Sequence, residues 1–284
     1  MKAKNSKQWS SATPGYMIFL IDQSGSMGEN YAEGKTRAKF TAQVINSTIS
    51  ELIMANMAGE KVKDRVFISM IGYGGSSNLS VDDIRSDYLS SFADSPLRIE
   101  QIRKKVSDGA GGLVEINESS PIFIEPLSNG LTPMAEALTF TKELIQGWLQ
   151  KMPDNPAPII INVSDGLPYT GGTVEEGMEK AITVAKEIMA IESSDGNPLI
   201  FNAHIGEHGD SKYNFVESES DIADEQAKFL FRISSNVPES YKEAANKEDF
   251  RALPNSRGFV SNADPVEFIS FINFGSSGGR DKIG

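Results

Sequence analysis

Short runs of apolar residues alternate along the chain with longer segments whose apolar positions recur at helical spacing. The clearest run is Met17–Ile21, five consecutive apolar residues that end at Asp22. A continuous apolar run of this length is typical of a strand buried on both faces, as in the centre of a parallel sheet. Three further runs, at 66–71, 158–164 and 199–205, have the same character.

Amphipathic segments follow these strands, with apolar positions at intervals of three and four residues that predict helices. The predicted helices cover 35–57, 133–149, 173–191, 227–233, 241–252 and 263–274, and a short strand at 258–260 precedes the last of them. Strands that alternate with helices predict an α/β fold. We therefore expect a three-layer, doubly wound (Rossmann-like) domain with a mostly parallel central sheet flanked by helices.

One segment breaks this alternation. Residues 76–129 are rich in Ser, Asp and Gly and hold too few apolar residues for a core of their own. We therefore predict an insertion or an elaborated edge of the sheet, with a short helix at 97–106 and short strands at 113–116 and 122–124. The glycines of Gly72-x-Gly74-Gly75 are predicted to form the turn that leads into it.

The boundaries of the domain follow from the points where the alternation of strands and helices begins and ends. Residues 1–15 precede the first apolar run and are predicted to form a flexible N-terminal arm. Residues 16–275 are predicted to form a single domain that includes the insertion. Residues 276–284 are Ser- and Gly-rich at their start and are predicted to be a flexible tail.

Composition narrows the classes of function. The chain has 284 residues, 39% of them apolar, and a formal net charge of −12. This charge argues against a broad nucleic-acid surface, because phosphate binding needs clustered Lys and Arg. The lack of cysteine excludes disulfides, Cys-ligated zinc and thiol catalysis. No apolar stretch has the form of a signal peptide or membrane span, so we expect a cytoplasmic protein without a membrane partner.

Oxygen-bearing side chains stand where three of the predicted elements begin or end. They are Asp22, Ser24, Ser26, Thr132 and Asp165. The carboxyl ends of parallel strands meet at one edge of a sheet, where open α/β folds bind their ligands. Two carboxylates with three hydroxyls suit a hard divalent cation, so we expect Mg²⁺, with Mn²⁺ or Ca²⁺ as alternatives.

These motifs resemble the metal-ion-dependent adhesion site (MIDAS) of von Willebrand factor A (VWA) domains. Asp22-x-Ser24-x-Ser26 matches the family's first motif, and Thr132 in Gly-Leu-Thr-Pro-Met matches the threonine of its second loop. Asp165 in Ser-Asp-Gly matches the aspartate of its third. The three parts occur in the family's order, and the resemblance covers most of the chain.

The resemblance implies a VWA fold and metal-mediated protein binding without catalysis. In such domains the serines ligate the ion, the threonine binds it directly or through water, and an Asp or Glu of the partner completes the coordination. The chain is more similar to intracellular bacterial VWA proteins of the tellurite-resistance type than to extracellular ones. Those act as adaptors beside a kinase, phosphatase or AAA ATPase in stress-response or phage-defence assemblies. The alternative is a VWA subunit that works with an AAA ATPase of the chelatase or remodelling type.

Other interpretations of the same residues stay open. Asp and Ser after a strand are common turn and cap residues, and Thr132 alone could cap the helix that follows it. His204 and His208 invite a zinc site, although no third nitrogen or sulfur ligand accompanies them. A Mg²⁺-dependent phosphohydrolase would need an acid–base carboxylate two residues after Asp22, where Ser24 stands, so we do not expect an enzyme.

Overall fold

The computed structural model describes residues 4–32, 34–107, 113–206, 211–263 and 265–276. The strands are β1 (Gly15–Asp22), β2 (Met57–Ala58), β3 (Lys61–Val62), β4 (Val66–Tyr73), β5 (Val81–Tyr88), β6 (Arg98–Ser107), β7 (Leu113–Ile122), β8 (Ile159–Ser164), β9 (Leu199–His204), β10 (Tyr213–Asn214) and β11 (Phe259–Ser261). The helices are α1 (Arg37–Ala55), α2 (Leu89–Asp94), α3 (Met134–Lys151), α4 (Val174–Met189), α5 (Glu225–Arg232), α6 (Lys242–Lys247) and α7 (Pro265–Ser276).

Seven of the strands form one central sheet, in the order β10-β11-β9-β8-β1-β4-β5. The five inner strands are parallel to one another, whereas the edge strands β10 and β5 run antiparallel to their neighbours. Because β1 lies between β8 and β4, its carboxyl end opens near the middle of one rim of the sheet. The predicted α/β class, a mostly parallel sheet flanked by helices, is confirmed.

Both faces of β1 are buried, as its continuous apolar run predicts. Met17, Phe19 and Ile21 pack into one core with side chains of α1 and α7, while Ile18 and Leu20 pack into a second core with side chains of α3, α4 and α5. Each of these five side chains is at most 3% exposed. Burial of one such side chain contributes roughly 1.5–3 kcal/mol, so β1 is held from both sides and fixes the position of Asp22.

Threonine caps set the start of two helices near that rim. The Thr36 hydroxyl accepts a hydrogen bond from the Lys39 N–H at 3.3 Å, and the Thr173 hydroxyl accepts one from the Glu176 N–H at 3.2 Å. Such a cap satisfies an N–H group that has no partner inside the helix. None of the helices in the described ranges is both long and apolar enough to cross a membrane.

The segment between β4 and α3 elaborates an edge of the sheet. β5 pairs with β4, and β6 and β7 form a separate antiparallel hairpin in which Arg98 lies opposite Ile122. The short helix predicted at 97–106 is therefore wrong. Its apolar residues have helical spacing, but the ladder with β7, a partner more distant in sequence, determines the backbone conformation.

The N-terminal segment packs against the body. Trp9 is 6% exposed and belongs to the core on the α1 side of the sheet. The Asn5 side chain donates to the Asn197 carbonyl at 2.8 Å, and the Lys7 N–H donates to an Asp195 carboxylate oxygen at 2.9 Å. The flexible arm predicted at 1–15 is thus corrected for residues 4–14, since its one large apolar side chain anchors it. Residues 277–284 of the predicted tail lie outside the described residues.

Candidate metal centre

Asp22 is the last residue of β1 and its side chain is buried beneath the rim, with 1% of the residue exposed. One carboxylate oxygen accepts the Ser24 N–H at 2.9 Å, and the other accepts the Ser164 hydroxyl at 2.6 Å. The first bond is the turn-forming contact expected of an Asp after a strand. The second ties the end of β1 to the end of β8.

The charge of Asp22 is poorly compensated. Burial, and next the nearby Asp165 carboxylate, raise the pKa of Asp22 to about 7, although the bonds from Ser164 and Ser24 act in the opposite direction. No Lys or Arg forms an ion pair with Asp22 among the described residues. A buried carboxylate of this kind is stabilised in its ionised form by a nearby cation.

Ser24 and Ser26 stand beside Asp22 on a tight turn. Residues Gly25–Gly28 form one turn of 3-10 helix, and the two serine hydroxyls lie 3.2 Å apart. Ser24 is buried, whereas Ser26 is exposed at the surface of the rim. A small cation that prefers oxygen ligands can be coordinated by two hydroxyl oxygens this close together beside a carboxylate.

The loop that carries Thr132 lies directly against this turn. The Gly25 N–H donates to the Gly130 carbonyl at 3.1 Å, and the Asn129 N–H donates to the Gln23 carbonyl at 2.8 Å. Thr132 itself is 8% exposed, and its hydroxyl has no hydrogen bond to any described residue. The helix cap at this point is Pro133 without a side-chain bond, so the alternative role of Thr132 as a cap gains no support.

Glycines let the Thr132 loop approach the end of β4. Gly74 has φ +77°, and a Cβ there would overlap the Leu131 carbonyl oxygen. Gly130 is equally constrained, since a Cβ there would lie 2.8 Å from the Gly74 carbonyl oxygen. The glycine cluster was predicted only as a turn into the insertion. Its second role, the close seating of the Thr132 loop, depends on contacts that sequence spacing does not reveal.

Asp165, after β8, has a different environment from Asp22. The Arg37 guanidinium donates to an Asp165 carboxylate oxygen at 2.9 Å and also lies 3.0 Å from a Glu29 carboxylate oxygen. Arg37 donates further to the carbonyls of Ser26 at 3.3 Å and Gly206 at 3.4 Å. Arg37 and Asp165 are 5% and 8% exposed, so this is a buried ion pair.

Arg37 was missed by the sequence analysis, although one signal was available. It is the first residue of α1, and a cation is electrostatically disfavoured at a helix N-terminus. An arginine at that position next to an acidic site is therefore a sign that a carboxylate lies nearby. The geometry brings all five predicted residues to one rim and adds Arg37 and Ser164 to them.

The zinc alternative gains no support. His204 is fully buried, its Nδ1 shares a 2.8 Å hydrogen bond with the Ser261 hydroxyl, and burial lowers its pKa. His208 lies outside the described residues. Within the described ranges, no three His, Cys, Asp or Glu side chains cluster in a way that could hold a metal. The candidate centre therefore depends on two carboxylates and three hydroxyls, a donor set that fits Mg²⁺ better than zinc.

Comparisons with known proteins support the assignment of the fold but not of a function. No family model and no curated protein matches the sequence. The pilus adhesin SpaC from Lactobacillus rhamnosus GG matches with 14% identity over 96% of this chain and 31% of its own, at a TM-score of 0.51. The PilB minor pilin from Streptococcus sanguinis matches with 11% identity over 95% of this chain and 62% of its own, at 0.49.

A third match is the vWF domain of the type V pili tip protein Mfa5 from Porphyromonas gingivalis, with 16% identity over 55% of this chain and 39% of its own, at a TM-score of 0.32. The chain spans less than two thirds of the length of each of these three structures. At such identity the likeness to SpaC concerns the fold alone, and the two looser matches add no argument. The fold, with its mostly parallel sheet between two helical layers, is similar to that of part of SpaC.

Proposed function

We propose that the chain is a metal-dependent protein-binding module of the MIDAS type, without catalytic activity. Asp22, Ser24, Ser26 and Thr132 hold a divalent cation, Mg²⁺ before Mn²⁺ or Ca²⁺, and Asp165 contributes to the centre. The bound cation supplies an electrophilic position that a partner's Asp or Glu carboxylate completes. The observation that carries the proposal is the buried Asp22 carboxylate, without a cationic partner among the described residues, beside the Ser24 and Ser26 hydroxyls, which lie 3.2 Å apart.

The charges of the chain bear on the class of partner. A formal net charge of −12 repels an acidic protein at long range, so the partner presents one carboxylate on a neutral or basic surface. We further propose an adaptor role in a bacterial stress-response or phage-defence assembly, with a kinase, phosphatase or AAA ATPase of the same system as partner. This setting follows from the resemblance to tellurite-resistance-type VWA proteins. The alternative role is that of a VWA subunit that works with an AAA ATPase of the chelatase or remodelling type.

Metal binding is tested by titration calorimetry with MgCl₂ and MnCl₂. The double variant Ser24→Ala/Ser26→Ala removes both hydroxyls, and we expect a loss of affinity of at least about a hundredfold, because a small cation would lose two of its protein ligands. The matched control is Ser218→Ala/Ser220→Ala, an exposed Ser-x-Ser pair whose hydroxyls lie 2.7 Å apart. Equal affinity in the wild type and both double variants contradicts the proposed centre.

Partner capture tests the metal-bridged mechanism. Affinity purification from the native host is performed with Mg²⁺ and with EDTA, using the wild type and the Ser24→Ala/Ser26→Ala variant as baits. We expect the specific partners only with the wild type in Mg²⁺. Recovery of the same partners in EDTA or with the variant rejects the mechanism.

Phosphatase assays in Mg²⁺ address the enzyme alternative, since turnover that Asp22→Ala abolishes would overturn a purely binding role.

A further inference from the structure

Exposed apolar side chains gather at the loops of the candidate metal centre. Eight large hydrophobic residues are exposed among the described residues; two of them lie on the Thr132 and Asp165 loops, and a third lies in the adjoining β4–β5 turn. These three are Leu79, Leu127 and Tyr169, which are 51%, 42% and 40% exposed. Single exposed apolar residues are ordinary on protein surfaces, but a cluster of them at a binding site indicates an interaction surface.

The three residues are placed near the Thr132 loop by different contacts, of which only those of Tyr169 are its own backbone hydrogen bonds. Next to Leu79, the Asn78 carbonyl accepts the Leu131 N–H at 2.9 Å. Tyr169 exchanges two backbone bonds with Thr132, at 2.9 and 3.0 Å. Leu127 begins the segment that leads into that loop, and a Cβ on Gly75 would lie 2.8 Å from its Cδ2.

Acidic residues occur in the segments next to these apolar residues. Glu175 and Glu176 are exposed in the first turn of α4, beyond Tyr169, and exposed Asp83 follows Leu79 along the chain. Glu125 stands two residues before Leu127 and is paired with Arg98 at 3.2 Å. Exposed carboxylates therefore stand close to these apolar residues along the chain, and the chain as a whole has a formal net charge of −12.

We propose that Leu79, Leu127 and Tyr169 form an apolar collar that receives hydrophobic side chains flanking the partner's carboxylate. The occupant is a protein segment with one Asp or Glu between aliphatic or aromatic residues and with Lys or Arg farther out. The collar continues the candidate metal centre outwards, and the acidic surroundings complement the basic outer residues of the segment. This inference rests on the proposed function and specifies its partner.

The collar gives the site a source of specificity that the metal lacks. Any accessible carboxylate can bind to a divalent cation, so coordination alone does not distinguish one acidic segment from another. Transfer of flanking apolar side chains from water onto the collar favours only segments of the right composition. Each buried flank is expected to tighten binding on the order of tenfold.

The test uses three labelled synthetic peptides in fluorescence-anisotropy titrations with 5 mM Mg²⁺, roughly a saturating level for a site of this type. Their central sequences are Leu-Asp-Leu, Ser-Asp-Ser and Leu-Asn-Leu, each between pairs of lysines. We expect Leu-Asp-Leu to bind at least about tenfold more tightly than Ser-Asp-Ser, and Leu-Asn-Leu to bind weakly. The variant Leu79→Ser/Leu127→Ser/Tyr169→Ser should bind the two Asp peptides equally.

A matched control separates the collar from general hydrophobicity. Met54, Met57 and Leu97 are exposed by 66%, 46% and 59% and lie away from the centre, at the far end of α1 and before the β6–β7 hairpin. Met54→Ser/Met57→Ser/Leu97→Ser should keep the wild-type preference for Leu-Asp-Leu.

The outcomes distinguish the two proposals. If calorimetry shows no Mg²⁺ binding, or the Asp peptides bind equally well in EDTA, the proposed function itself fails. If Mg²⁺ binds and the Asp peptides need it, but Leu-Asp-Leu has no advantage or the collar variant keeps it, the collar fails alone. Absence of binding by every peptide to Mg²⁺-loaded protein likewise overturns the collar as a receptor for such a segment.

Discussion

A buried aspartate stands at the carboxyl end of both β1 and β8, but the protein stabilises the two aspartates in different ways. Asp22 accepts hydrogen bonds from neutral donors, the Ser24 N–H and the Ser164 hydroxyl. Asp165 is paired with the Arg37 guanidinium at 2.9 Å. One carboxylate therefore has its counter-charge built into the fold, whereas the other does not. We interpret Asp22 as the carboxylate that depends on a metal ion and Asp165 as the one that the protein itself holds in place.

The difference also bears on the charge of the centre. With Asp165 compensated by Arg37, the net negative charge available to a divalent cation comes mainly from Asp22. A cation there stays under-neutralised and attracts an incoming carboxylate more strongly than a fully neutralised one. Under the proposed function, the Arg37 pair would therefore favour binding of an acidic partner at some cost in metal affinity.

Arg37→Met should have the largest effect on the metal-free protein. The substitution leaves the Asp165 carboxylate buried without its cation and also releases Glu29. Removal of one partner from a buried ion pair costs about 3–5 kcal/mol in the free energy of unfolding. Urea denaturation in EDTA measures this loss, and Mg²⁺ should recover part of it because the metal replaces the lost positive charge.

The control for Arg37→Met is Arg98→Met. Arg98 is 43% exposed at its side chain and pairs with Glu125 at the surface, where an ion pair contributes about 0–1 kcal/mol. The double variant Arg37→Met/Asp165→Asn should regain stability relative to Arg37→Met, since it removes the orphaned charge. If Arg37→Met is no more destabilising than Arg98→Met, Asp165 does not depend on the arginine.

Replacement of each aspartate by asparagine tests the comparison directly. In EDTA, Asp165→Asn should lower the free energy of unfolding by about 2–3 kcal/mol, because buried Arg37 loses its closest anionic partner. Asp22→Asn should change it by less than about 1 kcal/mol, since it removes a buried charge that only neutral donors stabilise.

Mg²⁺ should then separate the two variants further. At a hundred times its Kd, a ligand stabilises a protein by about 2.7 kcal/mol. We expect this gain in the wild type, part of it in Asp165→Asn, and none in Asp22→Asn, measured as the shift in the urea midpoint. A full gain in Asp22→Asn would refute the assignment of Asp22 as the metal-dependent carboxylate.

Local pattern was enough to predict β1 and the rim at which Asp22 lies. The apolar run Met17–Ile21 is buried on both faces, and the strand before Asp165 ends at Ser164 as its sequence indicates. The same kind of pattern failed for β6. Its apolar residues follow helical spacing, and only the partner strand β7 makes the segment a hairpin.

Contacts between distant residues account for what the sequence did not predict about the centre. Arg37 and Asp165 are 128 positions apart, and Ser164 and Asp22 are 142 apart. Nothing in the spacing of either pair indicates that they meet, because the strand order of the folded sheet brings them together. The anchoring of Phe123 to the Asn46 side chain at 2.8 Å, which fixes the return of the insertion towards Thr132, is of the same kind.

Ser164→Ala should destabilise the protein less than Arg37→Met or Asp165→Asn and should act on Asp22 alone among the two aspartates. The Ser164 hydroxyl donates to Asp22 at 2.6 Å and accepts the Gly166 N–H at 3.1 Å. Its loss should cost about 1–2 kcal/mol, since a buried carboxylate loses a donor. It should also weaken Mg²⁺ binding several-fold, because the Asp22 carboxylate is no longer held in one orientation.

Ser69→Ala is the matched control: that hydroxyl is equally buried and bonds Ser86 at 2.6 Å, away from the centre. It should cost similar stability and leave Mg²⁺ affinity unchanged. If the two variants lose Mg²⁺ affinity equally, Ser164 has no specific role in orienting Asp22, and the link between the two strand ends is structural only.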